Sequence, residues 1–532
     1  METILRVEGG RALHGTVRVP GAKNSVLPLL AASLLCEGPV VLENAPRLSD
    51  VDTGAAILRS LGCTVRAGVC GAGAELFPCP DAGAPDCAPG SATSGVPGSV
   101  PGGAASGSAP SAFAEDRLRR ASAAGEGECF CRPDTGAPDP VPGDSVPSAF
   151  AEDRLRRAFA AGEGECFCRP DAAGASVEST PALFLDGAGL CGSTVPPPLM
   201  AAMRSSLFFL APLLVRTGSA HIGQPGGCTL GARPIDLHLA GLAAMGAQVE
   251  QRGGEICVRA PQGLHGTDFT LRFPSVGATE TLLKAAARAR GRTVLRGAAC
   301  EPEVQDLARF LRRAGARVEG IGTPVLTVEG APELRSVRWR ICPDRIVAAT
   351  VLCAAAACGG DVLLTDCRPA HLLALYGPLG ALGCTFALRG SRVRVHSDGP
   401  GRGFGHLATG GYPALATDAA PLLLAASLRA AGESAVLDTV FEDRFSCARG
   451  FAALGAEAAV HGAQCTVRGV PRLHGAPLRA ADLRGGAALL LAALQADGPS
   501  TLGGLACIDR GYEDIARLFA GLGAAVERVP AP

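Results

Sequence analysis

Six times along this chain an apolar helix tail runs into a glycine, a small residue and then strand-like alternation: Leu61-Gly62-Cys63, Met245-Gly246-Ala247, Ala314-Gly315-Ala316, Leu382-Gly383-Cys384, Leu454-Gly455-Ala456 and Leu522-Gly523-Ala524. A glycine after the last helical turn supplies the left-handed residue that a helix C-cap favours. Period-two runs such as Leu326-Thr327-Val328 and Val393-Arg394-Val395 follow as half-buried strands. The recurring phrase is one α/β unit, and units of this kind bury their apolar faces only by packing on one another. Successive glycines stand 184, 69, 68, 72 and 68 residues apart. The first interval exceeds the others by about 115 residues, which places an insertion there and leaves six units of about 70 residues.

The insertion, residues 69–180, is rich in Gly, Pro, Ala and Ser, and residues 110–134 recur as 147–171 with Ser122 against Phe159 as the one difference. Each copy holds a short amphipathic helix candidate and a Cys-x-Cys pair, Cys129/Cys131 and Cys166/Cys168. Zinc sites favour a two-residue spacer, and no histidine lies nearby, so the stretch reads as a duplicated surface excursion with low-complexity flanks.

A chain of 532 residues is too long for one core, so two or more domains are expected. Its net charge of −1 argues against a dedicated nucleic-acid binder. The N-terminus lacks a signal layout, and the longest uncharged apolar runs, near 346–358 and 486–494, are too short to span a bilayer. A cytoplasmic location is expected, with the 21 cysteines as free thiols. Arginine carries nearly all the positive charge; lysine stands only at Lys23 and Lys284. A retained lysine marks a place where a compact ammonium is needed and a planar fork does not fit. Lys284, inside a probable helix, is read as chance.

The glycine-rich run 224–238 places Cys228 on an adaptable loop, with Arg233 five residues on, Pro234 where a first-turn proline fits a helix, and Asp236 in the anion-favouring first turn. A cation there keeps a thiol partly ionised and can hold a phosphate or carboxylate. Lys23 and Asn24 open an apolar helix at Val26–Leu35, a place that favours an anion. Arg204 lies in an otherwise apolar helical stretch and needs a carboxylate or a ligand phosphate opposite. Ser275–Thr279 is a glycine-containing strand-to-helix turn with free amides and hydroxyls. Asp418 precedes the apolar run 419–428 as a helix N-cap or a general base. Arg444, Arg484 and Arg510 each stand near an acid, Asp443, Asp482 and Asp509. They form ion pairs with those neighbours or converge on a ligand from three successive units.

Gly21-Ala22-Lys23-Asn24, Met203-Arg204-Ser205-Ser206, Pro225-Gly226-Gly227-Cys228, Gly231-Ala232-Arg233-Pro234-Ile235-Asp236-Leu237-His238, Ser275-Val276-Gly277-Ala278-Thr279, Glu301-Pro302-Glu303, Pro343-Asp344-Arg345, Phe441-Glu442-Asp443-Arg444-Phe445 and Ile508-Asp509-Arg510-Gly511-Tyr512 occur in this order. Outside the insertion the chain resembles the enolpyruvyl transferases that act on UDP-N-acetylglucosamine. The resemblance implies an α/β fold of two inside-out prism domains, each of three units. One would span 23–342 and the other 343–532, with residues 1–22 completing the second. It implies transfer of the enolpyruvyl group of phosphoenolpyruvate to the sugar 3′-hydroxyl by addition and elimination, with release of phosphate, and no metal or organic cofactor.

By the same resemblance Cys228 would protonate the methylene carbon and be the thiol that fosfomycin alkylates, while Asp418 would take the hydroxyl proton. Lys23, Arg233 and Arg510 would grip phosphate, with Arg444 and Arg484 completing the basic pocket. Asn24, Arg204, Pro234, Ile235, Asp236, Leu237 and the Ser275–Val276 turn would hold the acceptor, and Val440 would line the sugar site. Phe273, Cys300 and Ala416 depart from the usual pattern. The rival readings are the sister activity on shikimate 3-phosphate, which lacks the Pro-Gly-Gly-Cys loop, and a non-catalytic binder of the nucleotide sugar.

Overall fold

The structure is a computed structural model that describes residues 3–70, 180–223, 226, 235–253 and 255–531. Cys228, Arg233 and Pro234 lie outside the described residues, as do the duplicated copies and their Cys-x-Cys pairs.

All six cap glycines have positive φ, between 86° and 130°, the region in which glycine meets no Cβ penalty. After each of them the chain enters a sheet, and there are six sheets among the described residues, five of four strands and one of three. The last three units enclose three helices that touch one another, Arg345–Cys358, Ala420–Ala426 and Leu483–Ala493. Every residue from Ile346 to Ala357 is buried. A helix that is apolar on all sides has to be internal, and its alanines let the neighbouring helices approach closely. The polar Thr350 in that helix is satisfied by the Ile346 carbonyl and the Tyr512 hydroxyl. The outer strands alternate, as in Arg392–Ser397 with one wet and one dry face, the pattern of a sheet packed on one side only. Helices inside and sheets outside give the inside-out prism.

Two cores result. One gathers buried residues from Val26 to Ile341, the other Leu5–Val19 together with Ile346–Val526. Strand Thr3–Glu8 pairs antiparallel with Pro499–Gly503 and Ala525–Pro530, and Leu13–Arg18 pairs parallel with Gly360–Thr365. The two crossings between cores lie side by side: Gly21 bridges Pro343, Ala22 N–H donates to the Cys342 carbonyl at 2.8 Å, and Asp344 N–H to the Pro20 carbonyl at 2.8 Å. Asp344 caps the Arg345–Cys358 helix through one oxygen, and its other oxygen accepts the Lys23 N–H at 3.0 Å.

Strand Thr64–Cys70 runs antiparallel to Thr180–Asp186 with Cys70 opposite Thr180. Val69, Cys70 and Thr180, assigned to the insertion on composition, are therefore ladder residues. The insertion occupies the tip of a hairpin, a position where added chain leaves both strands in register.

Candidate active site

Asp418 was expected to cap a helix or to act as a base. It does not cap: it sits in a single 3-10 turn, Thr417–Ala419, before the Ala420–Ala426 helix. Its side chain, 25% exposed, is held by two buried guanidinium groups. Arg444, only 1% exposed, donates to Oδ1 and, through Nε, to the Thr417 carbonyl at 2.9 Å. Arg484 donates to Oδ2 from Nε at 3.1 Å and lies 3.0 Å from it through Nη2. Burial pushes the Asp418 carboxyl up, but the Arg484 and Arg444 charges outweigh it and hold the group well below the usual carboxylate range.

Two of the acids beside these arginines in sequence serve elsewhere. Asp482 instead caps the Leu483–Ala493 helix, accepting the Arg484 and Gly485 N–H groups, and Asp509 pairs with Arg528. Arg510 reaches Asp50, with Nε 2.9 Å from Oδ1 and Nη2 3.3 Å from Oδ2. Asp50 also holds Lys23, whose Nζ lies 2.8 Å from Oδ2. The Lys23–Ala32 helix begins at Lys23, three residues before the sequence pattern placed it, because Asp344 accepts the Lys23 N–H. Burial lowers the Lys23 ammonium and Asp50 opposes that, with Arg484 and Arg510 adding to the lowering. Lys23, Arg484 and Arg510 thus belong to one electrostatic cluster, fed by both cores, and Arg484 links it to Asp418 and Arg444. Asn24, beside Lys23, is exposed.

Arg204, Ile235, Asp236, Leu237 and Ser275 gather around the Asp236–Ala244 helix, while Val440 stands on the Asp418 side. Asp236 starts its helix as expected but is exposed, and pairs with Arg272 at 2.5 Å. Ser275 does not offer the free hydroxyl that its turn suggests; it caps the Val276–Ala286 helix by accepting the Ala278 N–H at 3.3 Å. The sequence pattern places Arg204 within an apolar helical stretch. Arg204 is half-buried and opens a 3-10 turn, Arg204–Phe209, after a break at Met203. Its charge reaches His238, which burial first, then Arg204 and Lys284, push down to about 4. Leu237 is buried and Ile235 half-buried. Phe273 stands 47% exposed, its ring 5.6 Å from the Arg272 guanidinium. Val440 is exposed on the loop that Asp438 orders by accepting the Val440 and Phe441 N–H groups at 2.8 Å each, while Thr417 donates its hydroxyl to the same carboxylate. Asp438 therefore couples the Val440 loop to the Asp418 turn.

Sequence reasoning missed Asp50 and Asp438. Asp50 carried only the signal of an acid in a first helical turn; Asp438 carried none. The Glu301-Pro302-Glu303 and Pro343-Asp344-Arg345 motifs tie one core to the other: Arg345 Nε donates to Glu303 at 3.0 Å, and Glu301 accepts the Tyr412 N–H at 3.2 Å, four residues before Ala416.

The comparisons with known proteins agree with this architecture. The family model described as EPSP synthase (3-phosphoshikimate 1-carboxyvinyltransferase) matches residues 7–70 and 177–518, the two sides of the hairpin insertion. The chain is 35% identical over 524 residues to UDP-N-acetylglucosamine 1-carboxyvinyltransferase 1 of Symbiobacterium thermophilum, covering 98% of this chain and 94% of that protein. It is 43% identical over 357 residues to UDP-N-acetylglucosamine 1-carboxyvinyltransferase of Acidiphilium cryptum, covering 67% and 85%. Among solved structures, the enolpyruvyl transferase NikO from Streptomyces tendae superposes with a TM-score of 0.70 at 22% identity, covering 100% of both chains. EPSP synthase from Acinetobacter baumannii superposes with a TM-score of 0.62 at 16% identity, covering 99% and 100%. With the hairpin insertion set aside, this chain belongs to the enolpyruvyl transferase family.

Proposed function

We propose that the chain transfers the enolpyruvyl group of phosphoenolpyruvate to the 3′-hydroxyl of UDP-N-acetylglucosamine and releases phosphate, the committed step that opens peptidoglycan synthesis. The observation that carries the reading is the Asp418 carboxylate held between Arg444 and Arg484 in the same cluster as Lys23 and Arg510. Phosphoenolpyruvate is multiply anionic, and fixed cations that need no rearrangement stabilise charge developing on it. Arg484 also lies beside Tyr512, its guanidinium 5.8 Å from the ring centroid, which fixes the direction of the fork.

In this reading the cleft lies between a domain of residues 23–342 and a domain of 343–532 completed by 1–22. Lys23, Arg233 and Arg510 bind the phosphate. Cys228 delivers a proton to the methylene carbon while the 3′-oxygen bonds to the adjacent carbon and its proton passes to Asp418. The Cys228 thiolate then takes back a proton from the methyl group as phosphate leaves with the electrons of its C–O bond, which restores the double bond. Asp418 is ionised over the working range, so it accepts a hydrogen bond from the hydroxyl first and receives the proton only as the new C–O bond raises that hydroxyl's acidity. Asn24, Arg204, Asp236, the Ser275–Val276 turn and Val440 hold the acceptor. No helix among the described residues is long and apolar enough to cross a membrane, and we place the reaction in the cytoplasm.

The test is phosphate release from phosphoenolpyruvate with UDP-N-acetylglucosamine, and separately with shikimate 3-phosphate. Release with the nucleotide sugar alone supports the reading. Release only with shikimate 3-phosphate assigns the sister activity, and binding of the nucleotide sugar without release assigns a non-catalytic binder.

A further inference from the structure

Asp50 is a carboxylate with no solvent to stabilise it: it is 3% exposed and both oxygens are taken by cations. Lys23 Nζ lies 2.8 Å from Oδ2, Arg510 Nη2 3.3 Å from the same oxygen, and Arg510 Nε 2.9 Å from Oδ1. Lys23 opens the Lys23–Ala32 helix, Asp50 stands in the first turn of Ser49–Ser60, and Arg510 follows Leu505–Ile508 in the other core. The three charges therefore tie one core to the other through a single buried anion. A buried ion pair of this kind is weak evidence for stability, because desolvation offsets most of the attraction. Its geometry asks for another explanation.

We propose that Asp50 is a positioning residue, which holds the Lys23 ammonium and the Arg510 guanidinium side by side across the junction and aims them at a phosphate monoester dianion. The inference rests on the function proposed above. An ammonium has three N–H donors, and Asp50 engages one of them. The groups facing Lys23 are Asp50, Arg484 and Arg510, with Asp344 on its backbone N–H and Asp306 on the hydroxyl of Ser25 two residues on. Burial and the two arginines favour the neutral amine; Asp50 opposes them. Removing the negative charge at Asp50 then has two effects of opposite sign. At low pH, where the lysine stays protonated, an incoming dianion no longer meets a carboxylate. At high pH the lysine loses its proton early and the dianion loses a cation.

The experiment follows inorganic phosphate binding by calorimetry, from about pH 6 to about pH 9, for the full chain, Asp50→Asn and Asp50→Glu. One pK unit corresponds to about tenfold. Asp50→Asn is expected to bind phosphate at least as tightly as wild type at the acid end and about tenfold more weakly at the alkaline end. Its kcat/KM for phosphoenolpyruvate should fall with an alkaline limb moved to lower pH, and Asp50→Glu should recover part of both. The chain has two lysines, Lys23 and Lys284, so lysine side-chain 15N resonances report Lys23 protonation directly in any folded variant. Proportional weakening at every pH, wild-type behaviour, or an unmoved Lys23 titration overturns the inference. If wild type fails to release phosphate from phosphoenolpyruvate yet the crossover in phosphate binding is seen, only the proposed function fails. If wild type turns over and the crossover is missing, only the role of Asp50 fails.

Discussion

Arg484 reaches Asp418 from 66 residues away with two nitrogens of its guanidinium fork, Nε at 3.1 Å and Nη2 at 3.0 Å, both on one carboxylate oxygen. The other oxygen belongs to Arg444. A carboxylate so held is a weak base and a strong organiser, which joins folding to chemistry at one residue. Asp418→Asn leaves the shape and removes the charge. We expect kcat to fall by about 10²–10⁴, the range of a lost general base, and stability at neutral pH to fall by about 3 kcal/mol, because two buried guanidinium groups lose their counter-charge. The sign follows from the depressed carboxyl of the folded state. Its stabilisation is present above the ordinary unfolded value of about 3.9 and is lost as pH falls below it. Urea unfolding at neutral pH and again at about pH 3 checks this: the gap between wild type and variant should narrow on the acid side.

Cys228, placed over the reacting carbon by the proposed mechanism, is the thiol expected to react with fosfomycin. Wild type should lose activity progressively during exposure, protected by phosphoenolpyruvate, and Cys228→Ser should show neither turnover nor a mass increase on the peptide holding position 228. Unchanged wild-type activity after exposure to excess drug would remove Cys228 from the mechanism.

The sequence made Lys284 look incidental, and the structure gives it a measurable penalty. Lys284 and Glu280 are fully buried one turn apart on the Val276–Ala286 helix, and neither side chain has a hydrogen-bond partner among the described residues. The Lys284 Nζ rests 4.5 Å from the Phe208 ring centroid. Burial drives Lys284 down to about 7 and Glu280 up to about 8. For the lysine the folded value lies below the unfolded one, so its penalty grows as pH falls from about 10.5 to 7 and is constant below that. Burial favours the uncharged form of both groups, so the carboxyl left behind when the lysine is deleted is one that burial keeps protonated. Lys284→Met should stabilise the chain by about 1–3 kcal/mol at neutral pH, and by nothing above about pH 10.5. Thermal unfolding at two pH values reads this, and an equal shift at both would contradict it.

Asp344 stitches the two crossings between cores, accepting Ile346 N–H at 2.8 Å, Val347 N–H at 3.1 Å and Lys23 N–H at 3.0 Å. Asp344→Ala loses a helix cap and a bond between crossings, for a total of about 2–3 kcal/mol. Denaturant midpoints should show this with an unchanged slope, and a halved slope would mean that the two cores had come apart into separate unfolding steps.

The sequence was most legible where backbone conformation dictates residue type. Gly62, Gly246, Gly315, Gly383, Gly455 and Gly523 announced their left-handed caps, and their spacing alone exposed the insertion. Partner choice was less legible, because it depends on which elements the fold brings together. Arg484 has Asp482 two residues away, yet Asp482 is needed at a helix N-terminus and the guanidinium crosses to Asp418. Arg510 likewise leaves Asp509 to Arg528 and crosses between cores to Asp50. Asp236 and Ser275 were recognisable by motif, but their use in an ion pair with Arg272 and in a helix cap follows from three-dimensional neighbours.

The hairpin position of the insertion makes a prediction about its dispensability. Cys70 stands directly opposite Thr180 at the end of an antiparallel ladder that begins at Thr64 opposite Asp186. Facing residues at such a position are joined in ordinary hairpins by a two-residue turn, for which Asn-Gly is suited because both central residues take positive φ. Replacing residues 71–179 by Asn-Gly should therefore leave the sheet formed by Thr64–Cys70, Thr180–Asp186, Val40–Glu43 and Val337–Arg340 intact. Loop closure changes only slowly with loop length, so stability should rise by about 1–3 kcal/mol at most. Phosphate release by the shortened chain is expected within about twofold of the full chain, since both strands keep their register when the chain between them is shortened. A large loss of activity with an unchanged melting temperature would instead mean that the inserted residues act on the cleft, and a collapse of both would mean that they complete the first core.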